Sequence, residues 1–132
     1  MKRIPTIAGC ARVVRLCGLA LLATGNLAAS SSHVTISCPF LETRDVTFEV
    51  PATFGDLPDI DFDYPSKVSI FSFREGHLLL VAMDEDQPSR LRIVISAQLN
   101  KASGAYDGQI VVDMGGHELQ LHSGPVTCTV SR

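Results

Sequence analysis

Three consecutive β-strands are predicted within residues 67–97, KVSIFSFREGHLLLVAMDEDQPSRLRIVISA. Apolar and polar residues alternate through 67–73 and 90–97, which is typical of strands with one buried face. Residues 77–83, HLLLVAM, are apolar almost without interruption, and this indicates a central strand that is buried on both faces. The two connections between these strands are too short for a crossover helix, so we expect neighbouring strands to pair antiparallel.

The alternation continues on both sides of this stretch, and no window after residue 30 has the apolar spacing of a helix. Further strands are predicted at 33–38, 44–50 and 59–64 before it and at 108–114, 117–122 and 126–130 after it. A turn at Ser123, Gly124 and Pro125 is expected to separate the last two strands. We therefore predict an all-β domain, either a single antiparallel β-sandwich or a small β-barrel, of about eight short strands.

The N-terminal segment has the composition of a secretory signal peptide. Its first thirty residues hold four basic side chains and no acidic one, an apolar run at Leu16–Ala23, and small residues from Ala28 to Ser32. A membrane anchor is the alternative, but a span needs about 20 consecutive apolar residues, and polar residues interrupt this run early. We predict that residues 1–29 are a signal peptide that is cleaved between Ala28 and Ser32. Residues 30–132 are then one exported β domain, periplasmic or secreted, with no membrane span after cleavage.

The net charge limits the partners of this domain. The whole chain has a net charge of −3, but the signal peptide contains four of the basic residues, so seven basic and fourteen acidic residues remain, a net charge of −7. Phosphate backbones and anionic membrane surfaces repel such a domain. We therefore expect no nucleic-acid partner, and a cationic protein is the partner that fits the charge best.

Two of the four cysteines, Cys10 and Cys17, belong to the predicted signal peptide. The remaining pair, Cys38 and Cys128, lies in an exported domain, where an oxidising compartment favours a disulfide. Both residues occupy apolar positions of alternating strands, so both thiols should point into the core. No CxxC spacing or nearby histidine cluster supports a catalytic or metal-binding thiol pair. We predict a disulfide between Cys38 and Cys128 that joins the first and last strands.

Two acidic groups are candidate partner-binding residues. They are Asp59, Asp61 and Asp63 on one predicted strand, and Asp84, Glu85 and Asp86 in a turn. Side chains two residues apart share a strand face, so the three aspartates should be presented together. Residues 42–86 hold eleven acidic and three basic residues, whereas residues 87–132 hold three and four. A solvated strand face and a recognition surface for a basic partner both fit this pattern. A calcium loop of the EF-hand type fits poorly, because Tyr64 and Pro65 stand where glycine is needed and Ile70 replaces the bidentate glutamate.

No other pattern in the sequence indicates catalysis or metal binding. His117 and His122 are an odd number of residues apart, so on one strand they would face opposite sides and could not share a metal ion. His33 and His77 lie on other predicted strands, and we expect all four histidines to be exposed. There is no GxSxG nucleophile elbow and no phosphate-binding glycine loop. We therefore assign no catalytic residue, no metal ligand and no cofactor.

One short motif resembles a known family. Ser103-Gly104-Ala105-Tyr106 resembles the Ser-Gly-x-x-Tyr motif of bacterial inhibitors of c-type lysozyme, but it is one residue shorter, and the Lys-Gly motif that accompanies it in that family is missing. Ser103 and Tyr106 also fit a turn. What the resemblance implies is that a small exported β domain with one cysteine pair can serve as a protein inhibitor.

These observations lead us to expect an exported, non-enzymatic binding module that engages a basic protein through its acidic surface. With the resemblance, that expectation extends to an inhibitor of a lysozyme-like hydrolase. Two alternatives stay open at this stage: a periplasmic protein that binds a metal or a small ligand, and a small hydrolase with a site built from several strands.

Overall fold

Seven antiparallel β-strands form one curled sheet that makes half of a barrel. The computed structural model describes residues 32–40 and 44–132, so the predicted signal peptide lies outside the described residues. The strands are β1 (Thr35–Phe40), β2 (Arg44–Glu49), β3 (Ser66–Arg74), β4 (His77–Asp84), β5 (Leu91–Leu99), β6 (Tyr106–Asp113) and β7 (Leu121–Ser131). The described part of the chain contains no helix with the length and apolarity needed to cross a membrane. The predicted all-β class and the antiparallel pairing are confirmed.

The order of strands in the sheet is β2-β1-β7-β6-β5-β4-β3. Strands β3 to β7 follow one another as simple hairpins, as short connections require, whereas β1 pairs with the last strand. This order places β2 and β3 at opposite edges, and residues 50–65 connect the two edges. The rings of Phe48 on β2 and Phe71 on β3 meet edge to face, with centroids 5.7 Å apart. The curl therefore brings the edge strands into side-chain contact, although the described residues show no hydrogen bonding between them.

The hydrophobic core lies on the inner face of the curled sheet. On β4 every second residue is buried, which follows from the alternation of side chains along a strand. The largest apolar side chains with almost no exposure are Ile36, Leu78, Leu80, Ile93, Ile95 and Val112, and both cysteines are buried with them. Strands β5 and β6 approach closely at Gly108, because a Cβ there would stand 2.0 Å from the carbonyl oxygen of Ser96. Only glycine fits that position.

The predicted strand at 59–64 is not a strand, and the predicted strand at 117–122 is only partly one. Residues 59–64 pair with no other strand, and the chain bends at Asp63 and Tyr64, within the connection between β2 and β3. Residues 117–120 belong to the loop before β7, and β7 then runs without a turn through Ser123–Pro125. Pro125 pairs in register with Gln109 on β6, whereas β1 pairs with β7 only at Thr129–Ser131. The side of β7 that faces away from β6 therefore has no partner strand at Pro125, and a proline is tolerated at such an edge.

The disulfide between Cys38 and Cys128 is present, which confirms the prediction. It joins β1 to β7, and the two Cα atoms are 4.2 Å apart. The register pairs Ser37 with Thr129, so the two cysteines are the next opposing pair across the two strands. Both side chains are fully buried. The bond therefore ties the first strand to the last within the core.

The loops at one end of the sheet contribute many residues of the candidate functional site. Strands β4 and β6 end there and β3, β5 and β7 begin there, so residues 60–65, 85–90 and 114–120 meet at this end. The contacts agree, because the Glu85 amide donates to the Pro65 carbonyl at 3.2 Å and Arg90 donates to the Gly116 carbonyl at 2.8 Å. We call it the loop end of the sheet.

Candidate partner-binding face

All of the net charge of the described residues lies on the surface. Four charged side chains at the loop end are almost buried, Arg90 and Arg92 with Asp84 and Asp113, and their charges cancel. The exposed acidic residues are Asp45, Glu49, Asp56, Asp59, Asp61, Asp63, Glu75, Glu85, Asp86, Asp107 and Glu118. The exposed basic ones are Arg44, Lys67, Arg74, Lys101 and Arg132. Eleven acids against five bases leave a surface charge of −6.

The connection between β2 and β3 presents three of these acids along its outer side. Asp59, Asp61 and Asp63 are exposed, while Ile60 and Phe62 between them are half-buried against the core. Alternation therefore directs the carboxylates to solvent even though no strand forms. The segment begins after the buried Pro58, and the Phe62 ring stacks on Tyr64 at a centroid distance of 6.4 Å.

A cleft of about 220 Å³ lies between this segment and β2. It is lined by Phe40, by Arg44, Asp45, Val46 and Thr47 of β2, by residues 60–64, and by Ile93 of β5. Arg44 and Asp63 stand on opposite sides and form an ion pair across it. Their side chains are 56% and 65% exposed. We call this space the β2 cleft.

The second predicted acidic group contributes Glu85 to the same region. Glu85 lines a shallow depression together with Asp61 and Asp63, and Asp86 beside it is exposed. Asp59 lies further along the segment, in a separate depression that also includes Glu49. The structure thus brings Asp61, Asp63 and Glu85 together and places Asp59 outside that group.

Asp84 is different from its two neighbours because it is only 5% exposed. Its carboxylate accepts hydrogen bonds from the backbone N–H groups of Asp86 and Gln87, both at 2.8 Å, and pairs with Arg92. The hydrogen bond from the Gln87 amide is the main reason why the pKa of Asp84 is lowered. Asp84 therefore holds the 85–90 turn in shape, and the acids of this group that face solvent are Glu85 and Asp86.

The almost buried side chains of Arg90, Arg92, Asp84 and Asp113 form a buried charge cluster with Asp113 at its centre. The sequence did not indicate this cluster. Its carboxylate accepts hydrogen bonds from Arg90 Nε at 2.5 Å and from the amides of Gly115 and Gln120 at 3.1 and 3.0 Å. Arg90 in turn donates to the carbonyl groups of Gly116 and Glu118, at 2.8 and 3.2 Å. The hydrogen bond from Arg90 keeps the pKa of Asp113 well below its usual range. The cluster fixes the backbone of the 114–120 loop.

A β-bulge explains why Arg92 enters this cluster. In the register of β4 and β5, Ala82 pairs with Ile93 and Met83 pairs with Leu91, so Arg92 is the extra residue. A bulge redirects a side chain that strict alternation would place on the other face. The Arg92 guanidinium lies 5.2 Å from the centroid of the Tyr64 ring, and burial raises the pKa of that tyrosine. The cluster is therefore in contact with the end of residues 59–64, which we call the acidic segment.

Other residues that the sequence singled out do not converge on a site. His77, His117 and His122 are exposed, and His33 lies 3.3 Å from Glu49. The described residues hold no group of three or more His, Cys, Asp or Glu side chains arranged to bind a metal ion. In the motif at 103–106, Ser103 Oγ accepts a hydrogen bond from the Ala105 amide within the turn, at 3.2 Å.

Tyr106, the last residue of that motif, is buried in the core. It is 9% exposed, and its ring lies against Phe73 with the centroids 5.3 Å apart. It therefore contributes to the core rather than to the surface of the turn. No protein-family model matches the chain, and no curated protein or solved structure shows detectable similarity to it.

Proposed function

We propose that the protein is an exported, non-enzymatic binding module that engages a basic protein through its acidic surface. The observation that carries the proposal is the placement of the charge. The only basic side chains that are largely withdrawn from solvent, Arg90 and Arg92, are matched by buried aspartates, so the surface keeps a net charge of −6 among the described residues. Asp45, Asp61 and Asp63 gather around one cleft, and Glu85 lies beside them.

Electrostatics of this kind favours a cationic partner. A surface of one sign speeds the encounter with a protein of the opposite sign and opposes other partners. A lysozyme-like hydrolase is such a cationic protein, and we propose that the module inhibits an enzyme of this class. The motif at 103–106 adds little to this proposal, since Tyr106 is buried.

Export to the periplasm or to the exterior is part of the proposal. The Cys38–Cys128 disulfide supports it, because disulfides persist in oxidising compartments and are rare in the cytosol.

The proposal is tested with a c-type lysozyme as the probe. Wild-type protein is recovered from the exported fraction, where its mass should be about 3 kDa below 14.2 kDa once the predicted signal peptide is removed. We expect a complex whose affinity falls as salt rises, because exposed charges are screened beyond about 8 Å at physiological ionic strength. The triple variant Asp59→Asn, Asp61→Asn, Asp63→Asn should lose about tenfold in affinity, mostly in the association rate.

A matched control removes three exposed charges elsewhere, through Asp56→Asn, Glu75→Gln and Glu118→Gln. It has the same net charge as the triple variant, so a smaller loss in the control assigns binding to the acidic segment. The proposal fails if wild-type protein binds no lysozyme at low salt. It also fails if the triple variant binds with unchanged affinity and unchanged salt dependence.

A further inference from the structure

We infer that the β2 cleft is a socket for one arginine or lysine side chain of the basic partner, and that Arg44 partly occupies it in the free protein. The inference rests on the proposed function, because it names the place where a side chain of such a partner binds. It adds one specific contact to the general attraction between the negatively charged surface and a basic protein.

The lining of the β2 cleft matches an amphipathic cation. Its lining is mixed, because charged and polar side chains share it with the half-buried Ile60 and Phe62, which lie over the almost buried Ile93 and Val46. Arginine and lysine bury an apolar stem while the charged end stays near solvent. A fully apolar ligand would leave the carboxylates at the rim without partners, and an acidic ligand would be repelled by them.

The charge of the cleft is unbalanced in favour of a cation. Among the described residues, Asp45, Asp61 and Asp63 are the acidic ones that line it and Arg44 is the basic one. Arg44 pairs with Asp63, while the side chains of Asp45 and Asp61 have no hydrogen-bond or ion-pair partner among residues 32–40 and 44–132. Two negative charges therefore remain for an incoming side chain.

The ion pair across the cleft is easily exchanged. Both side chains of the Arg44–Asp63 pair are more than half exposed, and exposed pairs stabilise proteins weakly. An incoming guanidinium can take the place of Arg44 on Asp63 and gain Asp61 as well. Arg44 is then a competitor of the partner, so removing it should strengthen binding.

The first test compares two arginines on the two edge strands. Arg44→Gln and Arg74→Gln each remove one exposed positive charge, from β2 and from β3. With lysozyme as the probe at constant salt, we expect Arg44→Gln to bind about two- to fivefold more tightly than Arg74→Gln, which is the range of a weak exposed pair. Equal affinities of the two variants would overturn the inference, and thermal unfolding of both checks that the fold is intact.

The second test needs no protein partner. The probe is an acetylated and amidated Gly-Arg-Gly peptide at millimolar concentration, and the control is the same peptide with neutral citrulline in place of arginine. We expect the methyl NMR signals of Ile60 and Ile93 to shift with the arginine peptide and not with the citrulline peptide. Asp61→Asn should weaken the shifts, and Asp59→Asn, outside the cleft, should leave them unchanged.

The outcomes separate the two proposals. Equal shifts with both peptides, no shifts at all, or equal effects of Asp61→Asn and Asp59→Asn would overturn the socket. If the arginine peptide binds in the cleft while lysozyme and the protein do not associate, the socket stands and the proposed function fails. If lysozyme binds with strong salt dependence while the peptide leaves Ile60 and Ile93 unchanged, the proposed function stands and the socket fails.

Discussion

Asp113 shows how a single side chain can organise a loop without contacting a partner. Its carboxylate is fully buried and satisfied by Arg90 and by two backbone amides of the loop that follows. Burial of charges is costly, and good geometry with additional hydrogen bonds is what offsets that cost. These hydrogen bonds hold the backbone of the 114–120 loop in one conformation. Gly115 and Gly116 in this loop have φ values of +91° and +95°, which favour glycine.

We predict that Asp113→Asn destabilises the protein by about 3 kcal/mol or more, the scale for breaking a buried pair from one side. The substitution keeps the size of the side chain but leaves Arg90 without its counter-charge. Urea denaturation monitored by circular dichroism measures the loss. Asp56→Asn is the control, because it removes one carboxylate that is exposed, and its unfolding midpoint should stay close to that of the wild type. Equal midpoints for the two variants would contradict the role of Asp113.

The same aspartate makes the stability of the folded protein depend on pH. The pKa of Asp113 is lower in the folded protein than in the unfolded chain, where it is about 3.9. Its contribution is therefore complete above about pH 4 and is lost as the pH falls towards the folded pKa. Wild-type stability should decline more steeply between about pH 4 and pH 2 than that of Asp113→Asn.

At the scale of the element, residues 59–64 show that alternating burial and strand pairing are separate properties. Ile60 and Phe62 are half-buried and the three aspartates are exposed, as in a strand. The backbone nevertheless pairs with no strand, because the segment lies between the two edges of the sheet. Alternation in a sequence indicates which side of an extended segment faces apolar surface, and that much was predictable. It does not reveal whether a neighbouring strand supplies hydrogen bonds.

Hydrogen exchange tests this distinction. The amides of Asp61 and Asp63 donate to no backbone carbonyl among the described residues, so we expect them to exchange close to the unprotected rate. The amide of Ile95, on a central strand, should exchange at least about a thousandfold more slowly, because it opens only with large-scale unfolding. NMR measurement of both sets in one sample makes the comparison internal. Protection of Asp61 and Asp63 equal to that of Ile95 would show that the segment is a strand in solution.

The buried charge cluster could not be predicted for a related reason. Arg92 alternates with Leu91 and Ile93 in the sequence, so a regular strand would turn it away from the core. The bulge between the Ala82–Ile93 and Met83–Leu91 pairs changes that direction. A bulge depends on how two strands fit together, and the pattern of one strand does not contain it.

For the molecule as a whole, the decisive features are the pairing of β1 with β7 and the disulfide that fixes it. The disulfide could be anticipated, because the two cysteines occupy apolar positions near the two ends of the predicted domain. The strand order was not predictable in the same way. Pairing between β1 and β7 joins residues that are far apart in the sequence, and only the two cysteines among them carried a signal.

The disulfide should account for much of the global stability. It connects residues 90 positions apart, and on the loop-entropy model such a cross-link stabilises the fold by about 4–5 kcal/mol. We predict that the double variant Cys38→Ala, Cys128→Ala loses about 2–5 kcal/mol, the range found when native disulfides are removed from small exported domains. Urea denaturation at neutral pH measures the difference, and wild-type protein reduced with dithiothreitol is the control. It should unfold close to the midpoint of the double variant, because both lack the same tie between β1 and β7. If the reduced protein and the double variant both unfold at the midpoint of the oxidised protein, hydrogen bonding and packing alone hold β1 against β7.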